Sequence, residues 1–200
     1  MPYWKIDLAW IAEQMHLLPC GTFCECAIGP LDISVAKDFM GKCDRAILIE
    51  PHPGLAAAAA SCLQTEIIHS AIGFTPGAQK LIDNGGSSYL DGTWAPTPVA
   101  NPGKIYTIPV TTFDKLDDGN IDVLALDCEG MEWAVLSKMK SYPLLMTIEL
   151  WDENPWKKEI YWWLKNHKYE LRFSTGPTAE THLYTRSAYE YLDASGNIAA

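Results

Sequence analysis

The sequence has few basic residues for its acidic content, and this shortage limits what the protein binds. Lys and Arg together number 15 against 25 Asp and Glu, so the formal net charge is −10. A negative field of this kind repels a phosphate backbone, and no run of Lys or Arg offers a local exception. The sequence therefore predicts that nucleic acid is not a partner.

Segments that target a chain to a membrane are also missing. No apolar run is long enough to cross a bilayer, and the segment at residues 1–18 carries Asp7 and Glu13 within its apolar part. The six cysteines form no C-x-x-C pair, so we interpret them as reduced thiols of an intracellular core. We expect a cytoplasmic protein without a membrane partner.

A third absence concerns phosphate recognition. The pattern G-x-G-x-x-G, which cradles a pyrophosphate in dinucleotide-binding sheets, does not occur. Residues 27–31 contain Gly29 alone, with Ala27 where a second glycine is expected. The sequence therefore disfavours a nicotinamide-dependent oxidoreductase and leaves room for a nucleoside that carries no phosphate.

The sequence does contain a regular alternation of short apolar runs and helical patterns. Continuous apolar strands without a polar face indicate an α/β protein with a mostly parallel sheet that is covered on both sides. The last two strands are joined at Gly176-Pro177 by too short a turn for a parallel crossover, so they form an antiparallel edge hairpin. Strands are predicted at 23–28, 46–49, 66–69, 105–110, 123–126, 144–150, 169–173 and 182–185, and helices at 4–18, 30–40, 53–63, 131–138 and 156–166.

Length and composition favour one domain over residues 1–200. A chain of 200 residues with 48% hydrophobic content builds one well-buried core and is short for two. Within it we distinguish an N-terminal helix at 1–20, a Gly- and Pro-rich loop and hairpin insertion at 74–104, and a flexible tail at 187–200. The tryptophans of the C-terminal half permit a homodimer.

Acidic side chains recur where the predicted strands end. Glu25, Glu50 and Glu149 stand near the ends of three strands, while Asp127 and Glu129 follow a fourth. Ligands of an open parallel sheet bind beyond the carboxyl ends of its strands. A structural sheet does not need carboxylates there, so this edge is the predicted binding site.

Glu50 is the most informative of these acids. A carboxylate at the end of the second strand accepts hydrogen bonds from both hydroxyl groups of a ribose. The alternative is a solvated turn residue before Pro51, and we favour the ribose role. Without a phosphate cradle, S-adenosylmethionine is the common nucleoside that fits.

The order of these motifs resembles the FkbM family of S-adenosylmethionine-dependent methyltransferases. Any one motif is weak, but the acidic block at 127–132 at this distance from Glu50-Pro51 is fairly specific. The resemblance extends from about residue 23 to 151. It implies a three-layer, Rossmann-like class I methyltransferase fold with a mostly parallel seven-stranded sheet and an antiparallel edge hairpin. The segments that carry it are IEPHP at 49–53, HSAIG at 69–73, GSS at 86–88, VTTFDKL at 110–116, IDVLALDCEGMEWAVL at 121–136 and IE at 148–149.

The resemblance also implies a cofactor site. Glu25, Ala27 and Gly29 would line the methionine and ribose portion of S-adenosylmethionine, and Glu50 with Pro51 would bind the ribose. The family usually has glycine where Ala27 stands. This departure supports a rival hypothesis from another class, a non-catalytic nucleoside-binding module with a degenerate methyltransferase fold.

By the same resemblance, Ser70 and Ala71 would border the adenine and Asp127 would lie beside the transferred methyl group. The implied reaction is O-methylation of a hydroxyl on a sugar or small natural product. Asp127 and Glu129 are the candidate catalytic residues, because either carboxylate can take the hydroxyl proton, directly or through a bound Mg²⁺. The alternative for both is helix capping, and Glu132 is interpreted as ordinary first-turn charge. A metal site formed by Asp127 with Glu149 or Asp152 is an alternative, but no ligand spacing demands it, so no metal ligand is assigned.

Overall fold

The computed structural model describes residues 7–95, 98, 100, 103–175 and 179–186, which form a mixed α/β structure. Two single-turn 3₁₀ helices, Gly85–Ser87 and Phe113–Lys115, lie between the larger elements. In chain order these larger elements are α1 (Leu8–Gln14), β1 (Cys20–Cys26), α2 (Ala36–Phe39), β2 (Cys43–Ile49), α3 (Pro53–Leu63), β3 (Ala71–Ile72), β4 (Gly77–Ile82), β5 (Tyr89–Leu90), β6 (Ile105–Thr111), β7 (Val123–Leu126), α4 (Glu132–Leu136), β8 (Leu145–Trp151), α5 (Lys157–Asn166), β9 (Tyr169–Ser174) and β10 (Ala179–Arg186).

The main sheet has six strands in the order β2-β1-β7-β8-β10-β9. Strands β2, β1, β7 and β8 are mutually parallel, and β10 is antiparallel to both of its neighbours. The predictions of a mainly parallel sheet and of an antiparallel edge hairpin are therefore confirmed. The turn predicted at Gly176-Pro177 and the tail at 187–200 lie outside the described residues.

The strand predicted at residues 66–69 contributes a single bridge. Ile68 pairs with Ile49 of β2, and its N–H and carbonyl bond to Leu48 and Glu50. The N–H of Ser70 then donates to the carbonyl of Ile68 over 2.9 Å. This two-residue turn bends the chain out of the main sheet and into β3. The main sheet consequently has six strands, where the resemblance implied seven.

The chain from β3 to β6 builds a second sheet in the order β3-β6-β4-β5. Strands β4 and β5 form a hairpin within the segment predicted as an insertion, and β4 also pairs antiparallel with β6. The ladder with β6 begins at Gly77↔Val110 and continues to Ile82↔Ile105. This second sheet places its hairpin beside the carboxyl edge of the main sheet.

Two predicted helices are shorter in the structure. The helix expected at 30–40 is α2, Ala36–Phe39, because the chain before it forms turns on the carbonyl of Pro30. The side chain of Glu25 also binds this preceding chain at Ser34 and Val35. The helix expected at 4–18 is α1, Leu8–Gln14, whose N-cap Asp7 accepts from the N–H of Trp10.

The core lies on both faces of the main sheet, because successive strand residues alternate between them. Phe23 and Val123 face the side covered by α1, α2 and α3, while Cys24 and Leu124 face α4, α5 and the second sheet. Helices thus cover both sides, as the sequence predicts. Among the described helices, none combines the length and the apolar character needed to cross a membrane.

The stack of Phe39 on Phe23 ties α2 to β1 and should contribute strongly to stability. The two rings are fully buried and stack nearly parallel, with centroids 4.1 Å apart. Phe39→Ala should lower the free energy of unfolding by about 3–5 kcal/mol, because it removes apolar contacts and leaves a cavity. Chemical denaturation measures the change. Ile33→Ala, at a half-exposed position before α2, is the control and should change it by less than about 1 kcal/mol. A Phe39→Ala loss as small as that of the control would contradict this account.

Candidate active site

A cavity of about 460 Å³ opens at the carboxyl ends of β1, β2, β7 and β8, with the β4–β5 hairpin on its far wall. This is the edge at which ligands of an open parallel sheet bind. All of the residues predicted from the sequence line this one cavity. They are Glu25, Ala27, Gly29, Glu50, Pro51, Ser70, Ala71, Asp127 and Glu129.

Glu50 is buried and held by the backbone at the end of β2. Its carboxylate accepts from the N–H of Gly29 over 2.8 Å and from the N–H of His52 over 2.7 Å. Burial raises the pKa of Glu50, and the two N–H groups oppose that shift. A carboxylate offers about four acceptor positions, so this geometry leaves further positions for ligand hydroxyls. It is incompatible with the solvated turn residue that was the alternative.

Glu25 lines the cavity, yet its carboxylate also binds the protein. One oxygen accepts from the hydroxyl of Ser34 over 2.9 Å, and the other accepts from the N–H of Val35 over 3.1 Å. These bonds satisfy two groups of the turn that precedes α2. Glu25 therefore positions this wall of the cavity whether or not it also contacts a ligand.

The turn after β1 is held in a left-handed conformation at two residues. Ala27 has φ +60° and Gly29 has φ +62°. Glycine adopts this conformation freely, whereas an L-residue with a Cβ pays about 1–2 kcal/mol. The N–H of Ile28, between them, donates to the carbonyl of Ile49 and fixes the turn against β2. Position 27 thus requires a left-handed backbone, which the expected glycine would adopt without this cost.

Ser70 and Ala71 form the wall next to β3. The Ser70 hydroxyl is buried and contacts the carbonyls of Ala71 at 3.0 Å and Pro109 at 3.1 Å. The side chain thus helps to join the bend after Ile68 to β6. On the adjacent wall, His69 hydrogen-bonds through Nε2 to the carbonyl of Pro51 over 3.1 Å.

Asp127 follows the last residue of β7 and is exposed to the cavity. Although its surface is accessible, the cavity walls separate it from bulk water, and this desolvation raises its pKa. The charge of Glu149 and a hydrogen bond with that carboxyl group raise the pKa further. Two carboxyl groups hydrogen-bond only when one keeps its proton. The Asp127 carboxyl group therefore holds a proton more readily than an ordinary aspartate does.

Glu129 is also drawn into the protein. Its side chain is 9% exposed, and its backbone has a left-handed φ of +47°. Burial and the charge of Glu149 raise its pKa to about 8, while a hydrogen bond from Ser87 opposes the shift. Gly130 follows with φ +99°, and a Cβ there would lie 2.6 Å from the carbonyl oxygen of Trp94. The chain passes so close to the second sheet that only glycine fits.

Helix capping, the alternative for Asp127 and Glu129, does not describe this loop. Within the described part of the chain, no side chain caps α4, whose N-cap residue is Met131. Glu132 instead reaches back into the loop, and its Oε1 accepts from the N–H groups of Cys128 and Gly130, both over 3.1 Å. The loop is thus shaped by a residue inside the helix.

The interpretation of Glu132 as ordinary first-turn charge was wrong. The side chain is 2% exposed, and its Oε2 accepts from the amide of Asn154 over 3.0 Å. Burial raises the pKa of Glu132 to about 7, although hydrogen bonds from backbone N–H groups, including those of Cys128 and Gly130, lower it. Sequence reasoning missed Glu132 and Asn154 because the first turn of a helix is usually solvated. It also left Glu149 without an assigned role.

Comparison with known proteins identifies the family of this chain. A family model described as the methyltransferase FkbM domain matches residues 28–171, which is more than half of the chain. The chain belongs to the FkbM methyltransferase family. The resemblance read from the sequence motifs is thereby confirmed, and the protein carries a methyltransferase domain. Searches of curated proteins and of solved structures gave no significant match.

The extent of the FkbM match bears on the site. It begins at Ile28, so it includes Gly29, Glu50, Asp127 and Glu149, and it ends within β9. Glu25 and Ala27 precede it. The FkbM match therefore covers the acids at the ends of β2, β7 and β8, while Glu25 and Ala27 at the end of β1 lie outside it.

Ala27→Gly should stabilise the protein, by up to about 1 kcal/mol, because it relieves the left-handed strain at the first turn. Chemical denaturation measures the gain. The matched control is Ala58→Gly on the exposed side of α3, which should lose about 1 kcal/mol because glycine is unfavourable within a helix. Equal losses at both positions would show that the strain at Ala27 is absent.

Proposed function

We propose that the protein is an S-adenosylmethionine-dependent methyltransferase that methylates a hydroxyl group of a sugar or small natural product. The observation that carries this proposal is the placement of Glu50. Its carboxylate is buried at the end of β2 and fixed by two backbone N–H groups, with acceptor positions left toward the cavity. This arrangement suits the two hydroxyl groups of a ribose.

The sheet order supports a class I methyltransferase fold. The six strands follow the order β2-β1-β7-β8-β10-β9, and the single bridge between Ile49 and Ile68 lies where a seventh strand would extend the sheet beyond β2. We infer that this segment is the reduced third strand of a seven-stranded sheet. The bend at Ser70 diverts the rest of it into the second sheet.

The cavity suits a nucleoside and a small acceptor. Its volume of about 460 Å³ falls within the usual range for small-molecule sites, about 300–1,000 Å³. Ala27 and Gly29 bring backbone to the cavity beside Glu50, and Ser70 and Ala71 border its other side. We assign the methionine and ribose portion to the first turn and the adenine to the wall at Ser70.

Asp127 is the group placed to handle the acceptor proton. When bound, S-adenosylmethionine supplies an electrophilic methyl group for in-line transfer to an oxygen. Asp127 faces the cavity from the end of β7, and its raised pKa makes it a stronger proton acceptor than an ordinary aspartate. Glu129 beside it is buried, whereas the carboxylate of Asp127 is exposed to the cavity, so we assign the proton role to Asp127.

One observation favours a second candidate, a nucleoside-binding module without catalysis. Ala27 stands in a left-handed turn where glycine is expected, and its methyl group narrows the closest approach of a ligand to the backbone. The intact pair of Asp127 and Glu149 argues for catalysis, because binding alone does not require it. Methyl transfer to any acceptor would exclude this second candidate. A cytoplasmic location and a homodimer stay predictions from the sequence.

Calorimetric titration with S-adenosylmethionine tests the cofactor assignment. Wild type should bind, and Glu50→Ala should bind at least tenfold more weakly, because the ribose hydroxyls lose their acceptor. Glu159→Ala, at an exposed position on α5, is the control and should bind as wild type does. Circular dichroism checks that Glu50→Ala is folded. Equal affinities for wild type and a folded Glu50→Ala would overturn the ribose assignment.

Asp127→Asn separates binding from turnover. The amide keeps the shape of the side chain but takes up no proton, so cofactor affinity should stay within a few fold while methyl transfer falls about a hundredfold or more. A screen of hydroxyl acceptors with S-adenosylmethionine labelled in its methyl group measures turnover. Wild-type rates in Asp127→Asn would remove the proton role from this residue.

A further inference from the structure

Three carboxylates converge at the inner end of the cavity, where β7 and β8 lie side by side. Asp127 and Glu129 follow β7, and Glu149 belongs to β8. Each offers a carboxylate oxygen, and these three oxygens all lie within 4.8 Å of one another. This limit includes the separations found around a single ion, where opposite oxygens lie about 4.2 Å apart for Mg²⁺ and up to about 5 Å apart for Ca²⁺.

Glu129 provides a second, independent observation. Its side chain is 9% exposed, and its Oε2 atom is buried with no hydrogen-bond partner among the described residues. Buried polar atoms nearly always have a partner, so an orphaned carboxylate oxygen indicates a missing ligand. Ser87 hydrogen-bonds to the same carboxylate and holds it within the cluster.

Among the described residues, no ion pair brings a basic side chain to this cluster. In the stretches that the structure describes, the ion pairs involve other acids, at positions 13, 83, 118, 152 and 170. None of them includes Asp127, Glu129 or Glu149. Of the three acids, Glu129 is buried, Glu149 is partly buried and Asp127 is exposed to the cavity. A buried carboxylate such as that of Glu129 is normally paired with a basic side chain or coordinates a metal ion.

We propose that Asp127, Glu129 and Glu149 bind one divalent cation of the Mg²⁺ or Mn²⁺ type. Carboxylate oxygens are the ligands that these hard cations prefer. Three protein ligands leave about three positions of an octahedral shell for water or substrate oxygens. Asp127 is exposed to the cavity, so both the cation and a substrate reach the site from there.

The cation also gives the proposed reaction a binding mode for its acceptor. A hydroxyl oxygen that occupies an open coordination position is oriented toward the cavity, and the cation lowers the pKa of that hydroxyl. This role rests on the proposed function, whereas the cation site rests on the three side chains alone. Acceptors with two neighbouring oxygens would be favoured, because they fill two open positions.

Electron paramagnetic resonance with Mn²⁺, in the absence of S-adenosylmethionine, tests the site. Wild type should bind one Mn²⁺ per chain with a dissociation constant below about 1 mM. Glu129→Gln and Glu149→Gln should each weaken binding at least tenfold, because an amide gives a neutral and poorer ligand. The matched control is Asp32→Asn, which removes an exposed carboxylate from the lining of the same cavity and should leave the affinity unchanged.

Each outcome decides the proposal. Absence of saturable binding by wild type would overturn it, and so would an unchanged affinity in both folded cluster variants. A loss of equal size in Asp32→Asn would also overturn it, since it would show only general attraction to an acidic cavity. Mn²⁺ binding without S-adenosylmethionine binding would retain the cation site and reject the proposed function. S-adenosylmethionine binding without Mn²⁺ binding would reject the cation site and retain the proposed function.

Discussion

Buried carboxylates that accept backbone hydrogen bonds hold together the functional edge of this protein. A charged group removed from water is stable only when its lone pairs are satisfied. Glu50 uses part of its acceptor capacity for the N–H groups of Gly29 and His52, and so joins the turns after β1 and β2. Glu132 does the same for the loop after β7 through Cys128 and Gly130. The loops keep their shape without a ligand, because these acids act as fixed internal acceptors.

The same criterion separates structural acids from ligand-binding ones. Glu132 has three protein donors and fills its acceptor positions within the fold. Glu129, only three residues earlier, keeps a buried oxygen that no described residue binds. Burial alone does not distinguish them, since both have raised pKa values. The two acids differ in their hydrogen-bond donors. Backbone and side-chain donors of the protein bind Glu132, whereas Glu129, like Asp127, lines the cavity.

The sequence predicted the features that depend on local patterns. Apolar runs located the parallel strands, and α3 begins and ends at Pro53 and Leu63 as the proline and alanine pattern indicates. Strand ends in a parallel sheet converge by geometry, so the site residues were predicted together on one edge. The burial of Glu132 depends on a contact with Asn154, 22 residues away. The strand predicted at 66–69 is reduced to a single bridge by the turn at Ser70, which leaves no periodic pattern in the sequence.

Two residues with an unfavourable left-handed backbone lie at the cavity. Ala27 and Glu129 both adopt left-handed backbone conformations, and both line the cavity from adjacent strand ends, β1 and β7. Strain of this kind persists only where the surrounding structure imposes it, and it concentrates at functional sites. At Glu129 it places a carboxylate beside Asp127 and Glu149. At Ala27 it keeps a tight turn next to Glu50, although the residue is poorly suited to that turn. The fold thus imposes a left-handed backbone at two neighbouring strand ends, and both of these residues line the cavity.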